Sequence, residues 1–231
     1  MKKMLPVIVI VLMMLASCAE TYNVQGTSSV SALDGNTMYL KVVKDGDMKV
    51  LDSCDIVHGQ FTLSGVLDTV RLGNLYLGDE SLMPLVVEQG NIIVKIDNAL
   101  QTVGGTPHNE TLYEFIKAYN QLDARMAELS RRQSQMLLEG IAEDIINQEL
   151  LREAEVIADE EDKLVTTFIE DNFDNVLGPG IFMMLTSTFR YPVLTPQIEV
   201  IMNKATDKFK NDPYVSDYYR RALENEASLG Q

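Results

Sequence analysis

The chain has few cysteines, few histidines and few basic residues, and each shortage argues against a class of function. Its 231 residues include two cysteines, two histidines and 19 lysines and arginines, against 34 aspartates and glutamates. The formal charge of −15 repels phosphate, so we expect no nucleic-acid partner. His58 and His108 lie far apart in the chain, and no P-loop, Gly-x-Gly-x-x-Gly or Gly-x-Ser-x-Gly string occurs. We therefore expect no metal, no cofactor and no catalytic site.

Long apolar runs are also lacking, apart from one at the start of the chain. Lys2 and Lys3 precede an apolar run over residues 4–15, which is too short for a membrane-spanning helix. The string Leu15-Ala16-Ser17-Cys18 that follows resembles the bacterial lipobox, which implies acylation of the Cys18 sulfur and cleavage just before it. We expect a signal peptide over residues 1–17 and a palmitoylated Cys18 as the first mature residue.

Acylation has consequences for charge and for disulfide pairing. Removal of residues 1–17 takes away Lys2 and Lys3 and no acid, so the formal charge of −15 becomes −17. Anionic headgroups repel such a chain, so acyl chains rather than a basic surface must hold it to the membrane. If Cys18 carries lipid, Cys54 has no partner for an internal disulfide.

Residues 37–105 alternate short apolar runs with turn residues, which is typical of antiparallel strands. Met38, Leu40 and Val42 share one face, as expected where one side of a sheet is covered. We expect an antiparallel, sandwich-like β domain here, preceded in residues 18–36 by a lipidated tether and a first strand. The predicted strand runs are residues 38–44, 48–57, 61–63, 70–77, 85–87 and 92–96.

Residues 106–231 have the pattern of a helical domain. Thr106-Pro107, Thr195-Pro196 and Asp212-Pro213 each combine a capping side chain with a proline at the first helical position. Apolar residues at three- and four-residue spacing predict a long helix after Pro107 and a partner helix over 141–173. We expect an antiparallel helical hairpin, a buried apolar segment at 181–185 and two further helices. The predicted fold class is α+β.

Several short strings occur in one order before the helical part. They are Gly26 before a strand, Met38-Tyr39-Leu40, Leu51-Asp52-Ser53, Gly59-Gln60-Phe61 with Gly65, Glu88-Gln89-Gly90-Asn91-Ile92, and Gly105-Thr106 with Asn109. This order resembles the domain of unknown function 4369, which forms the β-rich N-terminal part of many Bacteroidota lipoproteins. In that family a helical segment follows, and a thioredoxin-like thiol-disulfide oxidoreductase domain closes the chain.

The sequence departs from this family where the thioredoxin-like domain would stand. Such a domain needs a Cys-x-x-Cys pair, in which one thiolate attacks and the second resolves the mixed disulfide. No such pair occurs, so we expect no redox catalysis within this chain. The resemblance also implies an outer-membrane lipoprotein that faces the periplasm. In that family surface export goes with an acidic cluster after the lipidated cysteine, and Ala19-Glu20-Thr21-Tyr22 holds a single acid.

Three functions remain open at this point. The first is a non-catalytic module that binds a peptide, a protein or an envelope component through the sheet or through the groove between the two halves. The second is an accessory that works in trans with a separate thioredoxin-like oxidoreductase through Cys54. The third is a hydrolase, which would need convergent carboxylates in a cleft. We expect the first.

A cysteine and a tyrosine–arginine patch are the candidate contact residues. Strand alternation places Cys54 in the core with Val50 and Ile56, and the neighbouring aspartates disfavour a thiolate. The patch consists of Tyr214, Tyr218, Tyr219, Arg220 and Arg221. It offers a partner contact in an otherwise acidic chain, or else Tyr214 and Tyr218 form one buried helix face. The acidic run at 159–162 is expected to be a solvated helix face rather than a calcium site.

Overall fold

The computed structural model describes residues 20–44 and 46–229, so the predicted signal peptide over residues 1–17 and the predicted lipidation site Cys18 lie outside the described residues. Within this part, eight strands precede six α-helices, a short 3₁₀ helix (Ser31–Leu33) lies between the first two strands, and the predicted α+β class is confirmed. The strands are β1 (Thr21–Ser28), β2 (Thr37–Lys44), β3 (Asp47–Asp55), β4 (Gln60–Val66), β5 (Arg71–Leu77), β6 (Glu80–Val87), β7 (Gly90–Ile96) and β8 (Gln101–Gly104). The helices are α1 (Pro107–Leu138), α2 (Glu143–Asp171), α3 (Leu177–Ser187), α4 (Pro196–Lys204), α5 (Asp207–Lys210) and α6 (Pro213–Leu229).

The strands form two four-stranded sheets that face each other across a buried core. Their orders are β4-β1-β7-β8 and β3-β2-β5-β6. Alternate residues of each central strand point into the core, as Met38, Leu40 and Val42 of β2 do. The sandwich-like arrangement follows from this alternation, because each sheet has one apolar face to bury.

One pairing differs from the predicted antiparallel pattern. Strand β1 pairs with β4 in antiparallel fashion but with β7 in parallel, so the first sheet is mixed. In residues 18–36, where we expected a tether and a first strand, that strand begins at Thr21 and lies inside its sheet, and Gly26 lies within it rather than before a strand. The outward-facing residues of β1 are polar, so the segment does not have the usual pattern of a strand in the sequence. On the core side, Tyr22 and Val24 are buried.

The two ends of the sandwich carry different connections. We call the end where β1 begins the β1 end. Thr21 pairs there with Val66 at the end of β4, Tyr22 pairs with Gly90 at the start of β7, and Lys44 at the tip of the β2–β3 hairpin lies 2.6 Å from Asp68. We call the opposite end the far end. It carries the His58-Gly59 turn and the turn over residues 97–100.

The helical half consists of a long hairpin and a small bundle. Helices α1 and α2 pack as the predicted antiparallel hairpin, and the predicted proline-led starts of α1, α4 and α6 are confirmed. The bundle core centres on Phe182 and Phe209 and includes Val86 of β6. A separate, smaller core holds the outer part of the hairpin together through Leu129, Ile146, Leu150 and Ile157.

One expectation for the helical half needs adjustment. The apolar segment at 181–185 lies in α3, but only Ile181 and Phe182 are buried, while Met183 and Met184 remain exposed because one side of α3 faces solvent. Among the described residues, no helix combines the length and apolar composition needed to cross a bilayer.

Candidate functional site

The first turns of α1 lie against the free edge of β6, and Asn109 joins the two. Its Oδ1 accepts the backbone N–H of Val86 at 2.8 Å, and its Nδ2 donates to the Val86 carbonyl at 2.7 Å. Asn109 is fully buried. No further described strand pairs with Val86 on this side, because β6 is an edge strand. The Asn109 amide takes the place of that strand and links the helical half to the sandwich.

A buried carboxylate completes this junction by capping α1. The Oε1 of Glu88 accepts the backbone N–H groups of His108 at 3.0 Å and Asn109 at 3.1 Å, and its Oε2 lies 2.7 Å from His108 Nδ1. A carboxylate at this position satisfies unpaired helix N–H groups and complements the helix dipole.

The expectation that the Thr106 hydroxyl caps α1 is therefore wrong, although Thr106 does precede the helix. Its side chain caps no backbone N–H, and its Oγ1 instead accepts from Asn109 Nδ2 at 2.9 Å. Glu88 takes the capping role because the β6–β7 connection brings its carboxylate to the helix end. By contrast, Thr195 and Asp212 do accept helix N–H groups through their side chains.

A groove opens further along α1, at the far end of the sandwich. It has a volume of about 280 Å³. Its walls are β6 through Leu82, Met83 and Pro84, the β7–β8 turn through residues 97–101, and α1 through Tyr113, Ile116 and Asn120. This is the groove between the two halves of the chain that the sequence suggested as a binding place.

The ionisable groups of the groove are occupied by structural contacts. Tyr113 donates its hydroxyl to the Pro84 carbonyl at 2.9 Å, and burial raises the pKa of Tyr113 well above its ordinary value. The Asp97 carboxylate accepts the backbone N–H groups of Ala99 at 2.8 Å and Leu100 at 2.6 Å within its own turn. A lining that combines apolar side chains with the amides of Asn98, Gln101 and Asn120 is suited to binding rather than to proton transfer.

The free edge of β6 is blocked along the groove. Val86 is bonded to Asn109, Pro84 has no N–H and its carbonyl is bonded to Tyr113, and the pairing of β6 with β5 is irregular at Leu82. An incoming strand needs a row of unpaired backbone groups, which this edge does not offer. The groove can therefore recognise side chains better than it can add a strand.

Cys54 is half-buried on β3, opposite Met38 and against the sandwich core. Burial raises the pKa of the Cys54 thiol, and the charges of Asp52 and Asp55 raise it further, while a hydrogen bond with the Thr62 backbone opposes them. The geometry thus favours a packed thiol over a reactive one.

The expected neighbours of Cys54 are only half right. Ile56 is buried, as expected, but Val50 is exposed. The pairing shows the reason, because Leu40 faces Asp52 while the next residue, Lys41, faces Val50. Leu51 is an extra residue in a bulge, and the bulge turns the earlier part of β3 to the opposite face.

The tyrosines and arginines of α6 do not form one exposed patch. Tyr218 is buried, its hydroxyl exchanges hydrogen bonds with the Val193 backbone at 3.1 Å, and the Tyr214 hydroxyl lies 2.8 Å from Thr186 Oγ1. Tyr219 also packs against the bundle core. Arg220 and Arg221 are exposed, and both form ion pairs with Asp217. A partner contact through these five residues stays a prediction.

The other candidate residues have structural surroundings. His58 and Gly59 both have positive φ and form the tight turn between β3 and β4. The acidic run at 159–162 lies within α2 and is largely exposed, with Glu160 paired to Arg125. In the part of the chain that the structure describes, no three His, Cys, Asp or Glu side chains come together as a metal site.

Sequence reasoning did not identify the residues of the groove. The predicted strand began at residue 85 and missed the first half of β6, because proline is rare inside strands. Pro84 could have identified β6, because a proline within an apolar run is typical of an edge strand. The turn residues 97–101 and Asn120 carry no local signal, because only the tertiary fold brings them together.

These features define an α+β protein built on a two-sheet sandwich, with one edge covered by the first turns of a long helical hairpin. Residues 22–112 match the model of a family described as a domain of unknown function, DUF4369. The resemblance inferred from the sequence is thus confirmed for this segment, which runs from the second residue of β1 into α1. The chain matches no curated protein.

Proposed function

We propose that this protein is a lipid-anchored, non-catalytic binding module of the cell envelope that faces the periplasm from the outer membrane. Its ligand is a short peptide or protein segment that places an apolar side chain in the groove between the sandwich and α1. The groove is the observation that carries this proposal. Leu82, Leu100 and Ile116 supply apolar surface, and Asn98, Gln101 and Asn120 supply amides that can pair with a peptide backbone.

Two further features support binding over catalysis. Asp97 Oδ1 accepts two backbone N–H groups of its own turn, and the Tyr113 hydroxyl donates to the Pro84 carbonyl, so both side chains hold parts of the fold in place. The buried Glu88 carboxylate is likewise committed to the start of α1. Side-chain recognition in a preformed groove requires no proton transfer.

Photo-crosslinking in intact cells tests the groove. A benzoylphenylalanine at Leu100, which lines the groove, is compared with one at Val57, which is similarly exposed at the same end of the sandwich but outside the groove. We expect adducts from position 100 and few from position 57. Asn120→Arg, which changes an exposed groove residue, should abolish the adducts, whereas Gln121→Arg on the neighbouring helix face should not. Equal adducts from both positions would refute the groove as the binding place.

The anchor is tested separately. Radioactive palmitate should label the wild-type protein, and Cys18→Ser should move the protein from the membrane fraction to the soluble fraction. Full membrane retention of the Cys18→Ser variant would contradict lipid anchoring and leave the groove experiment unaffected.

A further inference from the structure

The distance between the proposed lipid and the folded sandwich is very short. The backbone carbonyl of Glu20 already accepts the N–H of Leu67 at 2.8 Å, and β1 begins at the next residue. Cys18 precedes Glu20 by two residues. An extended chain covers at most about 3.5 Å per residue, so these two Cα atoms lie within about 7 Å of each other. If Cys18 is acylated, the β1 end of the sandwich therefore lies close to the lipid.

The β1 end carries several exposed apolar side chains. Val66, the last residue of β4, is 72% exposed, and Val50 on β3 is 54% exposed. Val43 and Met48 pair with each other beside the β2–β3 turn, and each is 52% exposed.

These side chains lie on neighbouring strands at the same level. Asp52 accepts the backbone N–H of Ser64, and Cys54 is bonded to the Thr62 backbone, so β3 and β4 run antiparallel across the seam between the sheets. Val50 precedes Asp52 by two residues on β3, and Val66 follows Ser64 by two residues on β4. Because the two strands are antiparallel, Val50 and Val66 lie toward the same end of the sandwich.

The charge of this surface also differs from that of the chain as a whole. Glu20 and residues 42–44, 46–50 and 66–71 contain three basic residues (Lys44, Lys49 and Arg71) and three acidic ones (Glu20, Asp47 and Asp68), in a chain with a formal charge of −15. Lys44 and Arg71 both pair with Asp68, at 2.6 and 3.3 Å. An apolar surface with balanced charges can approach headgroups that would repel the acidic remainder.

We propose that the β1 end rests on the bilayer that holds the acyl chains, with Val43, Met48, Val50 and Val66 in contact with the boundary between headgroups and acyl chains. This inference rests on the proposed lipidation of Cys18 and adds an orientation to it. The anchor and these side chains hold the same end of the sandwich, so the protein stands on the membrane instead of hanging from a flexible tether.

The orientation decides what the rest of the molecule can reach. Helix α1 begins near the β1 end, where Asn109 bonds to Val86, and reaches the turn over residues 97–100 at the far end near Asn120. Its last residue, Leu138, lies 18 residues further on, which is about 27 Å at 1.5 Å per residue. The groove and the tip of the hairpin therefore face away from the bilayer, toward periplasmic partners.

Fluorescence quenching by labelled lipid tests this orientation on the full-length acylated protein. In a Cys54→Ala background, single cysteines replace Val66 and Val50 at the β1 end, and Val57 and Leu100 at the far end. The four native side chains are between 54% and 72% exposed, so the positions are matched. Each protein carries a bimane label and is placed in vesicles of phosphatidylethanolamine and phosphatidylglycerol containing nitroxide-labelled lipid.

We expect quenching at positions 66 and 50 to be at least threefold stronger than at positions 57 and 100. Equal quenching at all four positions in vesicle-bound protein would overturn the orientation and leave the lipid anchor standing. Cross-linking of positions 66 between two copies, without lipid quenching, would overturn it in favour of a dimer. Protein that lacks acyl chains and is not retained by vesicles would refute the anchor and this inference together.

Discussion

At two positions in this structure, a single side chain forms the hydrogen bonds that a neighbouring backbone segment would otherwise form. Asn109 stands in for a strand next to β6, and Glu88 supplies the acceptors that the N–H groups at the start of α1 lack. Both residues belong to the strings that resemble the DUF4369 family. Those strings therefore explain how the fold is held together, whereas the groove residues outside them are the candidates for what this chain binds.

Replacement of Asn109 tests the junction. Asn109→Ala leaves the N–H and carbonyl of Val86 buried without partners, and an unpaired buried polar group costs about 1–3 kcal/mol. We expect the free energy of unfolding, measured by urea denaturation, to fall by that amount. Asn120→Ala, at an exposed site on the same helix, should change it by less than about 0.5 kcal/mol. Similar values for the two variants would contradict the role of Asn109.

Cys54 gives a second prediction at this scale. Burial and two nearby aspartates raise the pKa of its thiol, so the thiolate fraction at neutral pH is smaller than in a free cysteine. We expect slow alkylation by maleimide in the native protein, with a rate that rises with pH only beyond the ordinary thiol range. Unfolding in urea should restore a normal rate.

The matched control for Cys54 is the neighbouring residue. Ser53 is exposed on the opposite face of β3, so Ser53→Cys in a Cys54→Ser background presents a thiol to solvent from the same strand. This variant should react several times faster. If Cys54 reacts as fast as the control, a redox accessory role becomes the better reading.

At the scale of elements, β1 depends on a glycine that lies beneath an aromatic ring. Gly26 pairs with Phe61 of β4, and a Cβ added to Gly26 would lie 1.9 Å from the Phe61 ring. Gly26→Val therefore forces the ring out of the sandwich core, and overpacking of this kind costs about 1–3 kcal/mol. We expect a lower midpoint of thermal unfolding for Gly26→Val than for the wild type.

Two variants separate overpacking from a general effect of valine in β1. Gln25→Val changes an exposed neighbour in the same strand and should leave the midpoint nearly unchanged. Phe61→Ala removes the ring, so adding Gly26→Val to Phe61→Ala should cost less than adding it to the wild type. Additive effects of the two changes would refute the packing explanation.

Local patterns in the sequence predicted most elements, and the features they missed depend on distant residues. Alternation identified β2 and β7, and capping pairs with proline identified the starts of α1, α4 and α6. The parallel pairing of β1 with β7 joins segments some 70 residues apart, and no local pattern encodes it. The bulge at Leu51 arises from the fit between β3 and β2, so alternation alone misplaced Val50.

The candidate site was less predictable than the fold for the same reason. Glu88 and Asn109 both lie in the short strings that resemble the DUF4369 family, but only the three-dimensional structure shows that they contact each other. The groove joins β6, the β7–β8 turn and α1, which are separate in sequence. The sequence therefore predicted a groove between the halves without predicting its walls.

At the scale of the whole molecule, the two ends of the helical hairpin pack into buried cores of different size. The first turns of α1 contribute Leu112 and Phe115 to the large core shared with the bundle and with Val86 of the sandwich. The outer part contributes Leu129 to a core of four buried residues between two helices. Local stability follows the amount of buried apolar contact, so protection should fall along a single continuous helix.

Hydrogen exchange followed by mass spectrometry measures this gradient directly. We expect peptides covering residues 108–119 to exchange at the slow rate of β7, and peptides covering 126–138 and 143–157 to exchange at least tenfold faster. Ile157→Ala should accelerate exchange in the outer hairpin alone, because Ile157 belongs to the small core and has no part in the large one. Phe182→Ala, in the bundle, should instead accelerate exchange in residues 108–119. Uniform protection along α1, or acceleration of the whole chain by Ile157→Ala, would show that the hairpin and the sandwich unfold as a single unit.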